Sequence, residues 1–428
     1  MVKEEEFDMK ARNSLKTMIM CALLVCLFAG FTASASAEPI KLTFWNLLTG
    51  GDGETMVAMI DEFNNDQSEY VVEGVTLDWD SYYTKLRTSV LGGVSPTFAI
   101  SHYPYVPALA KEGILVPIDD YADKLGMTIE YDKYASMIED MRYNGHYYAV
   151  PLEQNIVILY YNKELCGKAG LLDENGELKP IEPTIDAFCE MLETAKASIG
   201  GKQPLIAPEK NSPPFKFFAS IYYQIGGTGQ FVNDAGEWAM DREIGIKAME
   251  LWERVYSYHV ANVENGIELF NQGEIPFMLS GNWDSKPVLA VMGDNVGAVA
   301  TPQVGPKFYT HVLGHSFVLP INAERTDEQV RGVITFINWF AQHNDEWSSA
   351  GSVPAYLPAA ETELFKSYRL LQSYSWAGSH GLPLTYNAPF SLSGSPECIE
   401  PLGKLARGES TPEQCFDEMA ARMKTALQ

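Results

Sequence analysis

Aromatic rings, carboxylates and histidines fall in this chain at the ends of short apolar runs, where a side chain can leave the core and face a ligand. Trp283 follows Gly281-Asn282 directly after the run Phe277 to Leu279, and Trp45 ends the run Ile40 to Trp45. His102-Tyr103 follows the run Thr97 to Ser101. Such residues suit a polyhydroxylated ligand. An indole or phenol ring covers an apolar face of C–H groups, and carboxylate, amide and imidazole groups bond the hydroxyl edge. The loop Asn46-Leu47-Leu48-Thr49-Gly50-Gly51-Asp52-Gly53 adds backbone groups at Thr49 and Gly50 and an acceptor at Asp52. Its glycines lack the lysine of a phosphate-cradling G-x-x-x-x-G-K-[ST] loop and the order of G-x-G-x-x-G. A plain helix-entry turn explains the same glycines.

Other chemistries find less. Asp52 and Glu153 make a conceivable glycosidase pair, but a chain with 56 acidic residues offers many pairs. There is no G-x-S-x-G or H-E-x-x-H, and the seven histidines, His311 and His315 included, never reach metal-site spacing with a third ligand. Neither a catalytic residue, a metal site nor a cofactor is expected. Adjacent tyrosines at Tyr82, Tyr147, Tyr160 and Tyr222 invite a ferric-ion reading, yet two of these pairs lie in expected strands, where neighbours point to opposite faces.

The elements that must position these residues alternate strand and helix. Ile40 to Trp45, Tyr70 to Leu77 and Thr97 to Ser101 read as strands, and Glu54 to Asn64 and Ser81 to Leu91 as helices, the second closed by Gly92-Gly93. This order predicts an open, mostly parallel sheet with ligands beyond the carboxyl ends of its strands. The loops to watch are Asn46 to Asp52, Asp78 to Tyr83 with Tyr82, and His102 to Tyr105. Further on, Thr184 caps a helix to Ala197, Phe215 to Ile225 forms an aromatic helix, and Arg242 to Tyr258 an amphipathic one. Phe277 to Leu279, Gly297 to Thr301 and His311 to Leu319 read as late strands, and Asp327 to His343 as a long helix.

Lys10, Arg12 and Lys16 precede an apolar run from Met18 to Phe31 and the small residues Ala35-Ser36-Ala37, the pattern of a cleaved secretory signal; Met9 offers an alternative start. The run is shorter than the about 20 residues a membrane-spanning helix needs. Cys26 lacks the small preceding residue of a lipid-anchoring site, so free export to a periplasmic or extracellular compartment is expected. The net charge of −25 repels nucleic acid and anionic membranes. Cys166 with Cys189, and Cys398 with Cys415, are possible disulfides, four free thiols being the equal alternative.

From Asn144 to Leu165 the chain strings together a turn at Asn144-Gly145, a short strand from His146 stopped by Pro151, and an apolar run from Ile156 to Tyr161 entering Asn162-Lys163-Glu164-Leu165. With Leu42-Thr43-Phe44-Trp45, Gly281-Asn282-Trp283 and Gly351-Ser352-Val353-Pro354 in this order, the chain resembles the family 1 extracellular solute-binding proteins, sugar-capturing components of ABC importers similar to maltose-binding protein. The resemblance implies a two-lobed α/β fold of the periplasmic-binding-protein type II class, with a hinge around a cleft. Residues 1–37 are then the signal peptide, 38–150 with 316–350 lobe 1, and 151–315 with 351–428 lobe 2. It implies capture of a neutral mono- or oligosaccharide by a monomer and delivery to a membrane ABC permease. In the family an aromatic residue placed like Trp283 stacks on the sugar, a polar residue of the crossing like Glu153 or Gln154 holds its hydroxyls, and a late ring like Trp376 stacks last. Tyr222 and His315 complete the candidate contacts. The absence of clustered Arg or Lys in the expected loops speaks against a phosphorylated ligand. A secreted glycoside hydrolase, or a binder of iron or a polyamine, is the alternative.

Overall fold

The computed structural model describes residues 38–49, 51–207, 213–228, 230–233, 235–261, 266–383 and 395–428. The signal-peptide and lipid-anchor expectations, and Gly50, lie outside these.

The first sheet opens with β1 (Ile40–Asn46), α1 (Gly51–Asp66), β2 (Tyr70–Thr76), α2 (Tyr82–Leu91), β3 (Phe98–His102), β4 (Leu115–Val116) and β5 (Ala149–Pro151). The β-branched and aromatic residues of β1 to β3 favour strands. The helices begin one to three residues from where the apolar spacing places them. A link, β6 (Glu153–Gln154), leads to the second sheet and its helices: β7 (Val157–Asn162), α3 (Ile185–Ser198), β8 (Leu205–Ile206), α4 (Pro213–Gln224), α5 (Arg242–Tyr256), β9 (Phe277–Gly281), α6 (Ser285–Met292) and β10 (Val296–Ala300). The chain then returns as β11 (His315–Pro320), runs through α7 (Asp327–Gln342) to β12 (Val353–Pro354), and ends in α8 (Pro396–Ala406) and α9 (Pro412–Ala426). Helix starts follow their caps: Thr184 accepts from the Ala187 amide, and Thr326 with Gln329 forms a reciprocal capping box.

The first sheet has the order β2-β1-β3-β11-β4, with β5 also on β11, and the second β8-β9-β7-β10. β1 is parallel to β2 and β3, but β11 runs antiparallel to β3, β4 and β5, and β7 antiparallel to β9 and β10. The expectation of a mostly parallel sheet is therefore corrected to mixed sheets. The strand that returns from the other sheet enters pointing the opposite way, whereas the βα units before it all point one way. The long strand expected over His311 to Leu319 is likewise broken, into Thr310–Val312 and His315–Pro320. Gly314 marks the break, where an added Cβ would collide with the Glu153 carbonyl.

Both faces of β7 are buried, as its unbroken apolar run requires. Ile158 and Tyr160 join the core shared with the first sheet, and Val157, Leu159 and Tyr161 the core under α4, α5, α8 and α9. Tyr160 and Tyr161 thus face different cores, which leaves this tyrosine pair unable to grip one ion. The first core centres on Phe44 and Phe98, stacked at 4.5 Å, with Phe317 and Phe336 around them. In the second, Trp252 and Tyr256 stack at 3.6 Å.

Cys166, Cys189, Cys398 and Cys415 are buried free thiols. The suggested disulfides are corrected accordingly. Burial pushes the Cys166 and Cys398 thiols up to about 12, so packing rather than oxidation defines them.

Candidate functional site

The connection between the sheets is pinned by side chains that are wholly inside the protein. Glu153 has no exposed surface. One of its carboxylate oxygens accepts from the His315 amide at 2.7 Å, from His315 Nδ1 at 2.7 Å and from Asn155 Nδ2 at 3.2 Å; the other accepts from Trp347 Nε1 at 3.0 Å. Its neighbour Gln154 donates to the Pro354 carbonyl, where β6 pairs with β12. Tyr103 donates from its hydroxyl to the Glu153 carbonyl. Asn282 clamps the same segment from the second sheet, accepting from the Ile156 amide at 3.2 Å and donating to the Gln154 carbonyl at 3.2 Å. The Asn of Gly281-Asn282-Trp283 is therefore a splice between strands, and it sets where the next two residues point.

Those two are Trp283 and Asp284. The Trp283 ring lies against the α-carbon of Gly281, where any Cβ would strike it. The Lys216 Nζ stands 4.3 Å from the centroid of that ring. Lys216 is only 2% exposed, and its ammonium has no hydrogen-bond acceptor or ion-pair partner among the described residues. Burial draws its pKa down to about 7, against the opposing pull of Glu153. Asp284 accepts from Ser280 Oγ at 2.6 Å, and burial lifts its carboxyl to about 6, with Asp52 adding to the rise.

Across from them, Asp52 sits in the first turn of α1, its Oδ1 accepting from the Gly53 amide at 2.8 Å. Burial raises its pKa to about 6, partly countered by His315. Asn46 shapes this entry loop by accepting from the Leu48 amide and the Thr76 hydroxyl. His102 ends β3 with its ring centroid 4.4 Å from that of His315, and its Nδ1 lies 2.7 Å from the Tyr83 hydroxyl. Burial holds His102 well below the usual imidazole range, with His315 and Lys216 adding to the effect. Burial also lowers His311 to about 3, with Lys216 contributing. The two sides touch at Lys286 in α6, whose Nζ lies 3.1 Å from Thr55 Oγ1 and 3.7 Å from Glu54.

The structure thus brings Asp52, His102, Glu153, His315 and Trp283 of the expected set into one polar cluster between the sheets. Trp45 is partly buried at the end of β1, and Thr49 is exposed in the entry loop. Tyr82 is placed in the core, its hydroxyl donating to the Ile100 carbonyl, while its neighbour Tyr83 reaches His102. Tyr222 is likewise interior, accepting from the Asp241 amide, with its ring against Gly227. Trp376 is 46% exposed and lies 4.6 Å from the Phe308 ring. Sequence reasoning missed Lys216, Asp284 and Tyr83. For Lys216 a signal existed: a lone lysine in the apolar helix Pro-Pro-Phe-Lys-Phe-Phe is out of place unless its charge has a use.

Residues 49–344 match the model of the bacterial extracellular solute-binding protein family. The maltotriose-binding protein of Pyrococcus abyssi is 22% identical over 281 residues, 64% of this chain and 56% of that protein, so the match spans little more than half of that relative. The sn-glycerol-3-phosphate-binding periplasmic protein UgpB of Rhizobium meliloti is 24% identical over 357 residues, 79% of this chain and 80% of that one. Among solved structures, the cyclic alpha-maltosyl-1,6-maltose binding protein from Arthrobacter globiformis superposes with a TM-score of 0.71 at 21% identity, covering 91% of this chain and 99% of that one. It shares the two-lobed fold. These relatives are named as binding proteins, and the hydrolase, iron and polyamine alternatives find no support among them. Members of the family are extracellular or periplasmic, and among the described residues no helix is long and apolar enough to cross a membrane. The chain belongs to the bacterial extracellular solute-binding protein family.

Proposed function

We propose that this protein captures a mono- or oligosaccharide, or a closely related polyol, in the cleft between its two sheets and delivers it to a membrane ABC permease. The observation that carries this reading is the partly exposed Trp283 ring, with the buried Lys216 over it and the half-buried Asp284 next to it in the chain, Asp284 in turn being close enough to the half-buried Asp52 to feel its charge. A ring face with donors and acceptors around it matches a sugar's apolar face and hydroxyl edge. Asp52 belongs to the first sheet's side and Trp283, Asp284 and Lys216 to the second's. Ligand contacts shared in this way favour the closed arrangement by the difference in affinity between open and closed forms. Binding and release by hinge closure follow.

A thermal-shift screen across monosaccharides, oligosaccharides and polyol derivatives tests it. A ligand at about a hundred times its Kd adds about 2.7 kcal/mol to native stability. A raised melting temperature with a subset of sugars is the expected result; no shift with any polyhydroxylated compound would overturn the reading.

A further inference from the structure

We propose that the ligand carries an oxyanion, a carboxylate or a phosphate, on its polyol, and that Lys216 is the residue that reads it. This rests on the reading of the cleft as a polyol site and names the chemical class within it.

Lys216 closes the first turn of α4, whose other residues are apolar, aromatic or satisfied within the fold. Of its surroundings, Ser220 donates back to the Lys216 carbonyl, and the Ser220 hydroxyl accepts from the His311 amide. Among the described residues, the charged neighbour that favours the Lys216 ammonium is Glu153, whose two oxygens already accept from His315, Asn155 and Trp347. The other ionisable groups that act on Lys216, His102 and His311, are imidazoles that burial keeps uncharged. A lysine that is 2% exposed and has no acceptor among the described residues is poorly solvated, and a chain retains such a group where something else completes it. Hydroxyl oxygens would solvate it; an oxyanion would also neutralise it.

Asp52 and Asp284 stand near the same space and do not exclude this. Each titrates near 6 because it is buried, so a negative ligand group draws a proton onto them, and a protonated carboxyl donates to an oxyanion. The sign is the same for Lys216, which must be charged to pair. Binding of an acidic ligand therefore strengthens as pH falls from 8 to 6. A neutral polyol that donates to ionised Asp52 and Asp284 shows the reverse below 6.

The test compares uncharged and acidic members of matched pairs by calorimetric titration of the full chain: glucose with glucuronate, galactose with galacturonate, and glycerol with sn-glycerol 3-phosphate. The carboxylate and phosphate arms identify the source of the oxyanion. The expected result is an acidic member bound at least tenfold tighter than its parent at pH 6.5, the preference shrinking by pH 8. Lys216→Met is expected to erase that preference and keep the weak binding of the parent. Equal or tighter binding of the neutral members, or a preference that persists in Lys216→Met, overturns the proposal while the polyol reading stands. Binding of neither kind overturns the proposal, and the polyol reading falls with it only if the thermal-shift screen is blank as well. The comparison in the unmutated protein decides even if Lys216→Met does not fold.

Discussion

Glu153 and His315 meet at 2.7 Å although 162 residues separate them in the chain. One belongs to the first passage between the sheets and the other to the return, and Trp347, which donates to the same carboxylate, precedes β12 on the last passage. A single carboxylate thus holds three segments at the point about which the sheets would hinge. His315 in turn faces His102 and Asp52, so the order of the hinge reaches the candidate site directly.

Glu153→Gln places an amide N–H₂ among donors that need acceptors. Breaking a buried charged cluster by removing one partner costs about 3–5 kcal/mol. Urea unfolding should show a loss of that size with an unchanged m-value, and a loss under 1 kcal/mol would show that Glu153 does not hold the crossing.

Trp283→Ala removes the ring beneath Lys216. Sugar binding should weaken at least about tenfold, or about 1.4 kcal/mol, with the unliganded melting temperature nearly unchanged because the ring is partly exposed. Gly281→Ala should produce the same loss by displacing the ring. Titration of both folded variants checks this, and wild-type affinity in either removes Trp283 from the site.

Much of this was legible beforehand, for identifiable reasons. Strands such as Ile40–Asn46 carry their own periodicity and β-branched residues, and caps such as Thr184 announce their helices. The ends of β1 and β3 accordingly gave Asp52 and His102. What local pattern does not carry is which distant segments pair. The antiparallel return of β11, the role of Asn282 as a clamp and the commitment of Glu153 to His315 all depend on partners more than 100 residues away. Tyr82 and Tyr83 could not be told apart for the same reason: adjacent residues at a helix start differ by which faces the core. A scarcity of cations in loops speaks against a phosphorylated ligand, but Lys216 comes from a helix, where no loop pattern displays it.

The four buried cysteines should behave as protected thiols. In protein beginning at residue 38, a thiol-reactive reagent should label none of Cys166, Cys189, Cys398 and Cys415 in the native state and all four after denaturation without reductant. Fewer than four labelled thiols would restore a disulfide.

Asp52 and Asp284 give the unliganded protein a pH signature. Both carboxyls titrate near 6 when folded, against about 4 for an exposed aspartate. The folded form therefore holds extra protons between roughly pH 4 and 6, so the penalty of burying the charged groups grows across that window and is complete above about 6. The Asp52→Asn, Asp284→Asn double variant escapes that penalty. It should be more stable than wild type at pH 7.5, and the gap should be clearly smaller at pH 5, closing only near the unfolded value of about 4. Urea unfolding at both values measures the gap, which would stay constant if these groups titrated normally.

Capture in a closing cleft makes one demand that no other account of the chain shares. The Lys286–Thr55 contact joins the two sides in the compact form, and a ligand held by Asp52 on one side and Trp283 and Lys216 on the other should populate that form. Small-angle scattering with and without the best thermal-shift ligand measures this directly. The radius of gyration should fall on binding while the far-ultraviolet circular dichroism stays the same; an unchanged radius at saturating ligand would contradict closure around the site.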